Sequence, residues 1–442
     1  MPSLHSFLTS LLGQFQELDI RYCILRNYQE LPHDNGGRDI DILIPAADNG
    51  MAIRAIGAIS GVTLTGLTRR ANMTAVYVHG VLWGKDHEAI EIDLITARTW
   101  KGFEYLSAER ILDNSIAPFS NRPLIRTPAP YHEAIISFLG TYLITGDIKD
   151  KYRNFIFDVF SHSRQETTQE LQFSLGPALA EKLIRTVLAD NKEQTKQLRA
   201  PVIRKIINYN LQVRPWNSLR QFFRHMYTEL NLFVRGGGSI SIAFLGPDGA
   251  GKTTILNALT ARLQYVANRV DVVHLKPVFF LKKRNASRGV VTEPHSKPKR
   301  STFTSVLKLV LWITEAWIDG TICRQKSFNV KIFDRYYDDI LIDPQRYRYG
   351  APLWIVKLGR FFIPKPDLYI VLIAPPDVIQ LRKQEVSREE TERQVRNYKL
   401  LAQKLGGVLV NSDNQIDAIC ENILFHVLET MKARITTEKL ND

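Results

Sequence analysis

An apolar run, Ile240-Ser-Ile-Ala-Phe-Leu245, leads straight into Gly246-Pro-Asp-Gly-Ala-Gly-Lys-Thr-Thr254. Ile255-Leu-Asn-Ala-Leu-Thr-Ala-Arg-Leu263 follows, with apolar residues at helical spacing. Strand, glycine-rich loop and helix in that order match G-x-x-x-x-G-K-[ST], the pattern of a phosphate-binding loop. The glycines let the backbone fold closely enough for its N–H groups to face a phosphate, and the helix start adds partial positive charge. On this reading Gly246, Gly249, Ala250, Gly251, Lys252, Thr253 and Thr254 bind ATP. Lys252 reaches the β- and γ-phosphates and the Thr253 hydroxyl holds Mg²⁺.

The chain has 442 residues, enough for two or three domains. Its three cysteines, Cys23, Cys323 and Cys420, are widely spaced, which argues against a disulfide framework or a zinc site and fits a reducing cytoplasm. No basic segment followed by an apolar core opens the sequence, so no signal peptide is expected. The most apolar window, Val306 to Ile318, contains Lys308 and Glu315 and is too short and too charged to span a bilayer. The net charge of +13 points to anionic partners. Much of it is local, in Arg204–Arg235 and Lys282–Arg300.

Residues 1–125 alternate helix and strand signals: a helix over Leu4–Gln16, strands at Ile20–Leu25, Asp39–Ile44, Ala75–His79 and Ala89–Ile95, and a helix over Met51–Ile59. Residues 126–235 read as helix, with segments at Tyr131–Leu143, Lys149–Phe160 and Pro177–Ala189 and a further stretch from Pro201 broken near Pro215. Gly236-Gly-Gly-Ser239 forms a flexible junction. Residues 236–435 alternate strands with helices, the pattern of an α/β doubly wound parallel sheet.

Further residues narrow the chemistry. The strand Asn329-Val-Lys-Ile-Phe333 ends in Asp334-Arg-Tyr-Tyr-Asp-Asp339. A carboxylate at such a strand end is placed to act as a Mg²⁺-linked group or a base, and Arg335 can grip an acceptor phosphate with two prongs. Pro366-Asp-Leu-Tyr-Ile-Val-Leu-Ile-Ala374 is a strand leading to Pro375-Pro376 and a helix carrying Arg382 and Lys383. The charged segment Ser387–Tyr398 reads either as a solvated helix face or as a lid whose arginines close on a transferring phosphoryl group.

These residues resemble the thymidylate kinase-like branch of the nucleoside monophosphate kinases, over roughly 240–430. The resemblance implies that Asp248 lies near the acceptor, that Arg335 and Tyr336 help to bind it, and that Lys252, Asp334 and Arg335 belong to the catalytic set. The loop has no arginine, so Arg382 and Arg388 are the expected catalytic arginines. The segment Asp343-Pro-Gln-Arg-Tyr-Arg-Tyr-Gly350 departs from the thymidylate pattern, and Arg346 and Arg348 suggest another anionic acceptor, a nucleoside monophosphate, sugar or sugar phosphate. The family member expected is similar to those of bacterial surface-polysaccharide gene sets.

In the N-terminal region Asp39-Ile-Asp41 puts two carboxylates on one strand face, and Glu91-Ile-Asp93 repeats the arrangement. Adjacent strands would gather three or four carboxylates, which repel one another unless a divalent cation is bound. Gly36-Gly-Arg-Asp-Ile-Asp-Ile-Leu43 with Asp93 resembles the nucleotidyltransferase fold of the DNA polymerase beta type, which implies Mg²⁺ on Asp39, Asp41 and Asp93. The Gly-Ser pair expected upstream is absent. Leu25-Arg-Asn-Tyr28 stands near its place, so either Arg26 takes over a triphosphate contact or that contact is lost. Active transferase, binding-only domain and solvent-facing strand all stay open.

The first function class is thus a two-domain phosphotransfer enzyme, cytoplasmic or peripheral to the inner face of the membrane, that moves the γ-phosphoryl of ATP to a small anionic acceptor. The second is a nucleic-acid or membrane-surface binding protein switched by ATP, suggested by the arginines and aromatics of Leu219–Phe233 and by Lys282–Arg300. Nucleic acid is the less expected partner, and a homodimer is left open.

Overall fold

The computed structural model describes residues 2–36, 38–83, 87–235, 240–267, 269–274, 299–321, 329–383 and 386–439. Most of the basic run Lys282–Arg300 lies outside them. The chain is mixed α/β and divides into two compact units, Met1–Leu230 and Asn231–Asp442.

The N-terminal unit begins with α1 (Leu4–Glu17), capped by the Ser3 hydroxyl, which accepts from the Ser6 N–H at 3.2 Å. Its five-stranded sheet runs β1 (Cys23–Ile24), β2 (Ile40–Leu43), β5 (His87–Ile95), β4 (Met73–Trp83), β3 (Thr63–Arg70). Only β2 and β5 pair in parallel. α2 (Asn49–Ala58) separates β2 from β3, and a small β6 (Arg98–Trp100) and β7 (Phe103–Leu106) hairpin precedes α3 (Ala108–Asp113). Six helices complete the series: α4 (Pro130–Thr145), α5 (Asp150–His162), α6 (Arg164–Leu175), α7 (Pro177–Leu188), α8 (Lys192–Val213) and α9 (Pro215–Arg235). The helical region is continuous with the sheet. Cys23, Leu25, Leu43 and Ile95 share one apolar core with Phe138, Tyr142, Phe160, Leu183 and Val202. The division between units falls inside α9.

The C-terminal unit is built on a five-stranded, wholly parallel sheet. Its order is β12 (Val408–Asn411), β11 (Leu368–Ile373), β8 (Ile240–Leu245), β10 (Asn329–Asp334), β9 (Arg269–His274). The helices of this unit are α10 (Lys252–Leu263), α11 (Thr302–Thr321), α12 (Asp339–Ile342), α13 (Leu353–Gly359), α14 (Pro376–Arg382), α15 (Arg388–Leu405) and α16 (Ile416–Lys439). β8 and β11 are almost wholly buried, which explains why both read as continuous apolar runs rather than alternating ones. β8 is central: the chain passes from it toward one edge, returns through β10, then crosses to β11 on the other side. Connections leaving in opposite directions open a crevice at the carboxyl ends of the central strands. Among the described residues no helix is long and apolar enough to cross a membrane.

Candidate functional site

The loop after β8 lies at that crevice, and backbone geometry dictates its composition. Gly246 has φ +144°, and a Cβ there would stand 2.3 Å from the Leu372 carbonyl oxygen on β11. Gly249 and Gly251 have φ +85° and +74°. A side chain at any of the three is strained, and at Gly246 it collides with backbone that cannot yield. Gly251 caps α10 without a side chain to satisfy the first-turn N–H groups.

Lys252 opens α10 and is 8% exposed. Its ammonium donates to the carbonyls of Gly246 at 2.7 Å and Pro247 at 2.6 Å, so it folds back over its own loop. Burial, reinforced by Arg335, holds its pKa well below the ordinary lysine range, against the opposing pull of Asp339 and Asp334. Thr253 and Thr254 are exposed beside it, and Ala250 is buried.

Asp334 ends β10 opposite Phe244 of β8. Arg335 follows in a left-handed conformation, φ +75°, held by its N–H to the Phe244 carbonyl at 2.9 Å. Its guanidinium binds Asp248 in the loop, donates to Asp339 at 2.5 Å and reaches the Gly246 carbonyl at 3.4 Å. Arg346 binds the other oxygen of Asp248, which therefore sits between two arginines. Lys252, Asp248, Arg335 and Arg346 thus come together around the loop.

Others of the expected set go elsewhere. Tyr336 is buried, packs against Phe333 and Tyr369, and donates its hydroxyl to the Pro364 carbonyl, so it is a core residue. The Arg348 carbonyl accepts from the Arg300 N–H at 3.0 Å, and its charge acts on Lys308 on α11. Arg382 lies beside the loop, its Nη1 4.0 Å from where a Gly251 Cβ would stand, and donates to the Ser412 carbonyl at 3.1 Å. Arg388 is exposed and pairs with Asp377 at 2.8 Å, linking α15 to α14 on the surface.

Two contributors were not assigned from sequence. Asp339, fully buried, accepts from Arg335, from the Tyr347 hydroxyl at 3.0 Å and from the Tyr398 hydroxyl at 2.6 Å. Spacing gave no signal for it: Arg335 is left-handed and α12 begins only at Asp339, so the pair meets across a non-helical turn. Lys383 packs its Cβ against Gly249 and adds to the positive field on Lys252. With Pro247, Asp248, Ile379, Thr391 and Gln394 it lines a small cleft beside the loop.

In the N-terminal unit Asp41 and Asp93 are direct partners across the parallel β2–β5 pair. With Asp39, one residue before β2, they bring three carboxylate oxygens within 4.8 Å of one another. Glu91 stays out of the triad and accepts from the Tyr77 hydroxyl at 2.9 Å. Asp41 and Asp93 are buried, and Asp93 Oδ1 has no hydrogen-bond partner. Burial first, then the charges of Glu91, Asp41 and Asp39, push the Asp93 pKa up to about 7. Arg26 lies across the other two, donating to Asp39 at 3.0 Å and binding Asp41 through Nε. The triad is partly neutralised from within, and the orphaned Asp93 oxygen fits the donor set of a hard divalent cation.

A comparison with models of known protein families gives no match, and a comparison with curated proteins gives none.

Proposed function

We propose that the chain is an ATP- and Mg²⁺-dependent phosphotransferase whose C-terminal unit transfers the γ-phosphoryl group to a small anionic acceptor. One observation carries this reading: a buried lysine whose ammonium donates to two loop carbonyls, folded onto a glycine loop at the crevice of a parallel sheet. A phosphate entering the loop replaces the two carbonyls as partner of Lys252 and relieves the cost of burying its charge. Mg²⁺, held by Thr253 and Asp334, supplies neutralisation of the phosphate oxygens when bound. Asp248, Arg335 and Arg346 form the acceptor side. The pair of arginines is bridged by one carboxylate, and an acceptor phosphate competes for the same guanidinium groups. Arg382 and Lys383 border the loop from α14 and are the cations best placed to meet charge that develops on the transferring group.

The N-terminal unit is proposed to hold a divalent cation on Asp39, Asp41 and Asp93, with transfer of a nucleotidyl group as the chemistry that such a site supports. The partnerless Asp93 oxygen favours this over a solvent-facing strand.

The test is ATP consumption by the full chain against nucleoside monophosphates, sugars and sugar phosphates. Lys252→Ala is expected to lower turnover by about a hundredfold or more. Unchanged turnover in that variant would sink the phosphotransferase reading.

A further inference from the structure

Among the described residues, α9 presents an apolar stripe that nothing in its own unit covers. Trp216, Leu219, Phe223, Met226, Tyr227 and Leu230 are all exposed, Trp216 at 84%, Phe223 at 64% and Leu230 at 62%. At 3.6 residues per turn they fall within an arc of about 100° and run for about 20 Å along the helix. The opposite face fixes this orientation. Ser218 is buried and donates its hydroxyl to the Asn210 carbonyl at 2.9 Å, and Phe222 packs on Phe103 at 5.7 Å between ring centres. Gly102, at φ +90°, lets the backbone approach: a Cβ there would stand 2.7 Å from the Gln221 carbonyl oxygen. The stripe is therefore turned outward by a tightly specified seat.

We infer that α9 is an in-plane anchor that lays this stripe into an anionic lipid surface. Charge identifies the occupant. Arg220 and Arg224 border the stripe along one side, exposed. The only carboxylate of the helix, Glu229, lies half-buried outside the arc. The whole chain carries +13, so a second copy is repelled where an anionic surface is attracted. Leu219, Met226 and Leu230 are apolar groups with no use against bases and phosphates, but they suit the boundary of acyl chains and headgroups, where Trp and Tyr also partition. The helix lies on such a surface rather than crossing it, consistent with its polar opposite face. This inference stands apart from the phosphotransferase reading.

The test is flotation of the full chain with vesicles of phosphatidylcholine alone and of phosphatidylcholine with phosphatidylglycerol in equal parts. The chain is expected to float with the anionic vesicles, and added salt to weaken it. Leu219→Glu with Phe223→Glu is expected to lower the bound fraction by about tenfold, and Arg220→Gln with Arg224→Gln by a smaller factor. Quenching by lipids brominated on the acyl chain, present in the wild type and lost in Trp216→Phe, reads insertion even if the glutamate variant misfolds. Three results would overturn the inference: no flotation with anionic vesicles, equal flotation of the glutamate variant with its fold intact, or a dimer in light scattering that the glutamate variant splits.

Discussion

The mixed sheet of the N-terminal unit and the parallel sheet of the C-terminal unit each bring charged groups to adjacent strand ends, but leave them unbalanced in opposite senses. In the first, Asp93 is a buried carboxylate that its own neighbours discourage from ionising. In the second, Lys252 is a buried ammonium that its surroundings discourage from protonating. Burial is the larger cause in both. Each unit supplies part of the missing charge internally, through Arg26 on Asp39 and Asp41 and through the loop carbonyls on Lys252. What remains differs: one site is short of a cation, the other of an anion. They also differ in construction. The carboxylate triad is made of side chains on paired strands, whereas the loop is made of backbone that only glycine permits.

That contrast can be broken most sharply at Gly246. Gly246→Ala places a methyl against the Leu372 carbonyl and is expected to destabilise the C-terminal unit by about 3–5 kcal/mol. Hydrogen exchange should rise in β8 and β11 and stay unchanged in β2 and β5. A neutral outcome would mean that the loop is not dictated by its backbone.

Asp93→Asn has the opposite sign. Removing a buried like charge is expected to stabilise the N-terminal unit by about 1–2 kcal/mol near pH 8, and to abolish any rise in melting temperature on adding Mn²⁺. Loss of stability together with a retained Mn²⁺ response would show that the triad is not short of a cation.

The smallest effect is at Lys308, whose pKa is lowered to about 8 by burial first and then by Arg300 and Arg348. A lysine lowered on folding costs stability while it is charged, so the cost is full below pH about 8 and fades as pH rises toward the unfolded value of about 10.4. The wild type should gain about 1 kcal/mol or less between pH 7 and 9, and Lys308→Met should flatten that rise. Urea unfolding at the two pH values measures it.

Much of the fold was legible because the pattern is local. The strand Ile240–Leu245 lies where the sequence places it, and α10 contains the expected helical run Ile255–Leu263 but begins earlier, at Lys252. The segments Ala75–His79 and Ala89–Ile95 fall within β4 and β5. Less local features were missed. β3, Thr63-Leu-Thr-Gly-Leu-Thr-Arg-Arg70, gives no clean alternation in sequence and is an edge strand defined by its pairing with β4. The helical reading across Pro201 holds, but the start of α8 at Lys192 was not marked in the sequence. Leu198, Val202 and Ile206 on its buried face outweigh the lost hydrogen bond. The resemblance implied that Tyr336 binds the acceptor, and its hydroxyl is turned to Pro364.

By itself the sequence determined what a backbone or a short repeat can encode. Glycines mark positions that tolerate no Cβ, apolar runs mark strands buried in a parallel sheet, and carboxylates two apart share a strand face. Only the tertiary structure decided which distant charges meet. Arg26 rather than Glu91 completes the carboxylate cluster, and Tyr398, brought in by α15, joins Tyr347 and Arg335 on Asp339. The reason is physical: a long side chain reaches several partners, and packing across the fold, not spacing along the chain, selects which of them it finds.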